Sequence, residues 1–455
     1  MGRVAALALG AGVMLAADAA PARAGHVSSP VFATAQAPAD SDTLSRFLGG
    51  LSDSTDRYFG ISAARPDTAG HDSLLVYSLA HPERTFGRRT RPSFRPDFAF
   101  NRVDGPVWGA VSSMGQPRQL GQVIGRIGYA AGPNVWLGGG EYVKTLRRHD
   151  AVWALRVLGG RETEAMDRDH PGRLLPSLQA LVNGNDYRRF HRRDGWQARL
   201  EREASLWRVG AGYRDMLESA LETTTTWNLT DKQPVVIDNT PATFGRVHEI
   251  ELEAAVRPPW LPVTAEVIHQ TSGRAIGSDF EYRRTYAAAS ADIGLGGVAS
   301  VLPQIAYGKF SGTLIPQAAF YLGGPQTLRS VPGVGVGGSG MTLARLDVIE
   351  TPDLLELAHI PHPAAFPLQA GVFAAAGAVW GTDPYGGPTV PGVDWPHAQA
   401  WLSEVGASLI YQPGFPDPTG LMRLNVSWPL GPEREYLRFT VSYSRALDLV
   451  RPLGD

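Results

Sequence analysis

Cysteine is absent from all 455 residues. This excludes a disulfide framework, a thiolate metal site, a cysteine nucleophile and a lipid-anchored N-terminal cysteine. An excess of one charge sign is also missing: 42 Lys and Arg face 44 Asp and Glu, a net charge of −2. Without a basic surplus there is no reason to expect a nucleic-acid partner. After residue 24 no stretch of about 18 apolar residues occurs, so no membrane-spanning helix is predicted. No H-E-x-x-H pair, G-x-S-x-G elbow or P-loop is present. The chain is therefore not read as an enzyme, and no catalytic residue and no cofactor is assigned. Asp167-Arg168-Asp169-His170 has metal-like residue types, but without a second ligand cluster it reads as a solvated turn, and no metal is expected.

Turn-forming residues are abundant. With 52 Gly and 35 Pro, roughly one residue in five weakens a helix interior, which argues against a helical bundle. Residues 1–24 read as a secretory signal peptide. Arg3 is the positive start, Val4 to Ala17 the apolar run, and Ala22-Arg23-Ala24 an A-x-A cleavage site.

The dominant period is two. His248, Ile250, Leu252, Ala254 and Val256 alternate with Glu249, Glu251 and Glu253. Met422, Leu424, Val426 and Trp428 alternate with Arg423, Asn425 and Ser427, and Leu437, Phe439, Val441 and Tyr443 alternate with Arg438, Thr440 and Ser442. Each segment has one apolar and one polar face. A soluble exported β-protein shares that pattern. Three features favour a transmembrane antiparallel β-barrel, an all-β fold: aromatics near strand ends, heavily ionic polar faces suited to a wet lumen, and connections that alternate short and long.

Counting backward from the C-terminus predicts sixteen strands. They lie near 93–100, 106–113, 120–130, 134–144, 150–159, 194–203, 206–215, 245–256, 262–270, 280–294, 300–310, 342–349, 370–380, 404–412, 420–428 and 436–444. Weak patterning at 106–113 and 134–144 leaves 12 or 14 as alternatives. The barrel then spans 93–455. Residues 25–92 form an N-terminal periplasmic extension, with a short amphipathic helix from the spacing of Leu44, Phe47, Leu48 and Leu51. A second helix is expected near Leu174 to Val182, and Arg188 to Arg193 reads as a basic outer-loop patch.

From Ile315 onward, over about 130 residues, the chain resembles the bacterial surface antigen superfamily, the barrels of outer-membrane insertases and two-partner secretion transporters. The most specific piece is Phe320-Tyr321-Leu322-Gly323-Gly324-Pro325-Gln326-Thr327-Leu328-Arg329, which resembles the family's long inward loop, here 313–341. Ala344-Arg345-Leu346-Asp347 resembles the return into the next strand, and Val372 to Trp380 and the last three strands resemble the end of the family barrel. Asn101-Arg102-Val103-Asp104-Gly105 and Asp186-Tyr187-Arg188-Arg189 are similar to the group more loosely. The resemblance implies that the loop folds back into the lumen with Gly323, Gly324 and Leu328 at its tip. It also implies that Arg329 pairs with Asp347, and a reciprocal charge exchange at these two positions should then restore what either reversal loses. Three positions depart from the family pattern: Ser330 follows the loop Arg, Ala375 stands where an acid is usual, and the chain continues from Ser444 to Asp455. Asp347, Asp292 and Glu404 are candidate substitutes for the acid. No βαββ pattern of a periplasmic transport domain occurs in 25–92.

The implied role is insertion or translocation of polypeptides at the bacterial outer membrane. The alternative is a passive pore or envelope scaffold. Expected partners are outer-membrane lipid and lipopolysaccharide, together with a polypeptide client or a periplasmic protein.

Overall fold

The computed structural model describes residues 92–445 except 119, 149–150, 167–173, 185, 187, 231–238, 240, 332–334, 351, 361–367, 387–388, 391, 393–394, 412–419 and 431–436. The chain divides into two units, Met1–Arg88 and Arg89–Asp455, and only the second contains described residues. The expected signal peptide, the helix around Leu44 and the Asp167 to His170 turn lie outside the described residues.

The second unit is one antiparallel wall. Its strands are β1 Ser93–Asn101, β2 Gly105–Gln116, β3 Gly121–Ala130, β4 Val135–Arg148, β5 Ala151–Ala165, β6 Phe190–Ala204, β7 Trp207–Ala220, β8 Gly245–Val256, β9 Val263–Ser272 and β10 Tyr282–Ala291. There follow β11 Ile293–Leu295, β12 Ala299–Gly312, β13 Phe320–Leu322, β14 Val336–Gly338, β15 Gly340–Glu350, β16 Leu368–Trp380, β17 Trp401–Tyr411, β18 Gly420–Pro429 and β19 Arg438–Arg445. β10 and β11 form one stave interrupted at Asp292, and both pair with β12. Among the described residues β13 and β14 pair with each other alone, inside the long loop. Among the described residues the wall therefore has the sixteen staves expected, each bonded to its neighbour in chain order. The helix expected near Leu174 is present as α1, Leu174–Asn183.

The wall curls into a barrel. The Arg189 guanidinium, just before β6, lies 3.4 Å from the ring centre of Tyr385, between β16 and β17. Those staves are seven apart, about 34 Å on a flat sheet at 4.8 Å per strand. Parity then assigns the two faces. Trp108, Trp136 and Ile305 point outward and are 63%, 63% and 60% exposed, whereas Arg208, Glu249 and Arg345 point inward and are buried. On β4 the outward face from Trp136 to Leu146 covers eleven residues, about 25 Å when tilted at 40°, and carries Trp136, Gly138, Gly140, Tyr142 and Leu146, with Lys144 near its end. This length matches the apolar belt of a transmembrane barrel. At one rim Arg202 lies 5.3 Å from Trp153 and 4.9 Å from Trp207, as an interfacial aromatic girdle provides. Among the described residues no helix is long and apolar enough to cross a membrane.

Connections at one end are 166–189, 221–244, 313–339 and 381–400, the long-loop end. The opposite end has tight turns at 205–206 and 296–298. The length alternation weakens late in the chain. Residues 351–367, at the short-turn end, include α2, Leu354–Leu357, capped by Asp353, whose side chain accepts the Leu355 amide at 2.9 Å.

The expected polar lumen needs one correction. On β10, β12, β15 and β16 the inward face carries Tyr282, Phe310, Met341, Leu343 and Val379. These enclose Ile315, Phe320, Leu322 and Leu328 of the long loop in a small apolar core. The loop brings its own apolar side chains into the barrel, so the wall beneath it is apolar as well.

Candidate functional site

The long loop is the first candidate site. Gly323 and Gly324 adopt φ of 134° and 93°, values that favour glycine, and so turn the chain back on itself. The Gly323 amide donates to Thr327 Oγ1 at 2.8 Å and Thr327 Oγ1 donates to the Gly323 carbonyl at 3.0 Å. The Gly324 amide donates to the Val331 carbonyl at 2.9 Å. This closed turn seats Leu328, 1% exposed, in the apolar core and aims Arg329 at the wall. All five expected residues, Gly323, Gly324, Leu328, Arg329 and Asp347, meet here.

Arg329 Nη2 donates to Asp347 Oδ1 at 2.7 Å, and the guanidinium lies 3.8 Å from the ring centre of Phe373 on β16. Two further inward cations share the same carboxylate: Arg345 Nε at 3.2 Å and Arg423 Nη1 at 3.3 Å. Burial and the neighbouring Arg345 push the Arg329 guanidinium toward losing its charge, and Asp347 opposes them. The expected pair of Arg329 and Asp347 is therefore present but shared, with Asp347 as the hub of three arginines, so a reciprocal exchange of the two residues is no longer expected to restore stability. An arginine at 347 would face Arg345 and Arg423 at hydrogen-bond distance.

Glu404 supplies the acid missing at 375. The two positions face each other across β16 and β17. Its carboxylate accepts the amides of Arg329 at 2.9 Å and Ser330 at 2.5 Å, so it caps the loop backbone instead of pairing with the guanidinium. Arg345 Nη1 donates to the Gln326 carbonyl at 2.6 Å, and Arg438 Nη1 donates to the Ser330 carbonyl at 3.5 Å. Asp292 takes no part; it sits at the short-turn end, where its amide donates to Pro262. Arg345 was legible as a site residue, because it shares a strand face with Asp347 two positions on. Arg423 and Phe373 carried no local signal beyond facing inward.

A second constellation joins the two loosely matching motifs, Asn101 to Gly105 and Asp186 to Arg189. Asn101 Oδ1 accepts the amides of Val103 at 3.0 Å and Asp104 at 2.7 Å, forming the turn after β1. Arg102 then reaches across the rim. Its Nη1 donates to the Asp186 carbonyl at 3.0 Å, its Nη2 to the Arg188 carbonyl at 2.6 Å and its amide to Asp186 Oδ2 at 3.2 Å. The amides of Thr224 and Thr225 donate to the Arg102 carbonyl at 2.9 and 3.1 Å. Burial lifts the Asp186 carboxyl above its usual range, while Arg188 and Arg102 pull it back. Beside this clamp lies a cavity of about 310 Å³ lined by Asp97, Arg126, Glu162, Glu164 and Arg193 among others. Arg102→Lys keeps the charge but loses the planar fork. It should cost about 1–3 kcal/mol and make α1 and residues 221–230 cleavable by limited proteolysis of an otherwise intact barrel.

The basic patch expected at Arg188 to Arg193 is largely paired. Arg192 contacts Asp104 at 3.1 Å, Arg193 contacts Glu164 at 2.6 Å, and His191 lies 3.8 Å from Glu164.

No family model and no curated protein matches this chain. Among solved structures, BamA from Haemophilus ducreyi lacking POTRA domains 1-3 is similar at a TM-score of 0.47 and 12% identity, over 78% of this chain and 71% of that one. CdiB from Escherichia coli is similar at 0.45 and 12%, over 77% and 61%. CdiB from Acinetobacter baumannii is similar at 0.41 and 11%, over 77% and 58%. The chain spans less than two thirds of either CdiB chain.

Proposed function

We propose that this protein is a bacterial outer-membrane barrel of the surface antigen type, with its long-loop end outside, and that it inserts or translocates polypeptides. The observation that carries the reading is the inward loop pinned by Arg329 and Ser330 to Asp347 and Glu404. The inward loop and the contact between Arg329 and Asp347 are what the sequence resemblance implies. A fixed strut of this kind braces the wall from β15 to β19 and occupies lumen that an open pore would leave free. The seam lends further support. Among the described residues no register joins β1 to β19, and Pro96 on β1 has no amide to give a ladder. A strand edge that keeps its backbone groups available is a template for an extended client segment.

The test is depletion of the protein followed by an inventory of outer-membrane and surface proteins. Selective loss of one client with an intact envelope is the expected result. No client loss, together with steady ion conductance of the purified protein in planar bilayers, would favour the pore or scaffold reading instead.

A further inference from the structure

Outward-facing cations gather on one sector of the long-loop rim. Arg246 and His248 lie at the start of β8, His269 on β9, Arg283 at the start of β10 and Lys309 near the end of β12. Parity places all five on the face that carries the exposed Ile250, Leu252, Val267 and Ile305. Hydroxyl groups interleave with them. Arg283 is opposite Thr271 and Ser311, and Thr285 is opposite both His269 and Lys309, with His269 Nδ1 and Thr285 Oγ1 at 2.9 Å. The Arg246 side chain is 58% exposed even while its fork holds Asp215 at 2.7 and 2.8 Å. The sector's acids are Asp215, Asp279, which accepts the Arg246 amide at 2.6 Å, and the exposed Glu281. Aromatic rings adjoin the cations: Tyr213 Oη lies 2.6 Å from His248 Nδ1 and its ring packs on Trp196 at 5.4 Å. Elsewhere on this rim Arg161 is matched by Asp194 at 2.9 Å.

An outward position at the edge of the aromatic girdle faces lipid headgroups rather than bulk water. Arg246, Arg283 and Lys309 bring guanidinium and ammonium donors, and Thr271, Thr285 and Ser311 bring interleaved hydroxyls; such a set recognises phosphate oxygens, with Asp215 already engaged by the Arg246 fork. We infer that this sector, from β8 to β12, binds the phosphates of an anionic glycolipid headgroup in the outer leaflet. The inference rests on the membrane orientation proposed above. A bound lipid would hold the barrel beside the loop-braced wall in a fixed rotational setting within the leaflet.

The test uses the full chain purified in mild detergent from its native membrane, with phosphorylated glycolipid counted by native mass spectrometry. Replacing Arg283 and Lys309 together by Ser should reduce retained glycolipid about ten-fold, the worth of one or two charge-assisted bonds. Arg202→Ser on the opposite rim should leave it unchanged. Heat-modifiable migration on gels reports whether each variant is a folded barrel, and Arg283→Lys with Lys309→Arg should retain the lipid. Equal retention in the Ser double variant and the wild type overturns the site while leaving the barrel reading intact. A wild-type protein that cannot be inserted into lipid vesicles overturns both. In vesicles of zwitterionic phospholipid, restoration of thermal stability by added glycolipid but not by inorganic phosphate is the expected result. Restoration by phosphate alone would replace the lipid with a free anion and overturn the proposal.

Discussion

Asp347→Asn should lower the heat stability of the barrel more than any single change among the arginines around it. The substitution keeps an oxygen acceptor but removes the one negative charge shared by Arg329, Arg345 and Arg423, at 2.7, 3.2 and 3.3 Å. The three guanidinium groups are almost wholly buried, so water cannot replace the lost carboxylate. Leaving such charges uncompensated costs about 3–5 kcal/mol. Arg329→Ala is milder, because Asp347 keeps two partners and Glu404 still caps the loop at the amides of residues 329 and 330. The measurement is the temperature at which the compact gel band converts to the unfolded one, read alongside near-ultraviolet circular dichroism. An Asp347→Asn barrel as heat-resistant as the wild type would sink the hub assignment. The reciprocal exchange of residues 329 and 347 should remain unstable, which separates a shared hub from an isolated pair.

The sixteen staves were legible because alternation survives wherever one face meets lipid and the other meets charge. β8 illustrates this, with Glu249, Glu251 and Glu253 inward and Ile250, Leu252 and Ala254 outward, and both of its ends fall where expected. Even the weakly patterned β2 and β4 kept their places, since turn spacing constrained them from either side. The candidate loop was legible through its Gly-Gly turn and through Arg329 and Asp347. The sharing of Asp347 was not, because alternation says which face a side chain takes and not what it meets across the lumen. The short hairpin of β13 and β14 was hidden for a different reason: three-residue strands are too short to show a period. Arg102 and Asp186 stand 84 residues apart, and only closure of the barrel brings the two motifs together.

The same rule of buried charge predicts a second large effect on the opposite wall, where the ladder of acids on β8 meets its cations. Arg208 is fully buried and donates from Nε to Glu253 at 2.5 Å and from Nη2 to Glu266 at 3.2 Å, while Arg199 also holds Glu251 and Glu253. Arg208→Ala takes one buried cation away from Glu266 and from one oxygen of the Glu253 carboxylate, both of them buried. The expected loss is about 3–5 kcal/mol, measured as a lower urea midpoint for barrel unfolding in vesicles. Neutralising one of the two acids at the same time, by adding Glu266→Gln, should return part of that stability, because a buried amide needs less counter-charge than a carboxylate. If the double variant is as unstable as Arg208→Ala alone, the loss came from the missing side-chain volume and not from charge. The two walls can then be compared directly. Asp347 gathers three arginines onto one acid and ties a loop inward. Arg208 ties its own stave, β7, to acids on two neighbouring staves, Glu253 on β8 and Glu266 on β9, and so stiffens that wall through side chains of the wall itself.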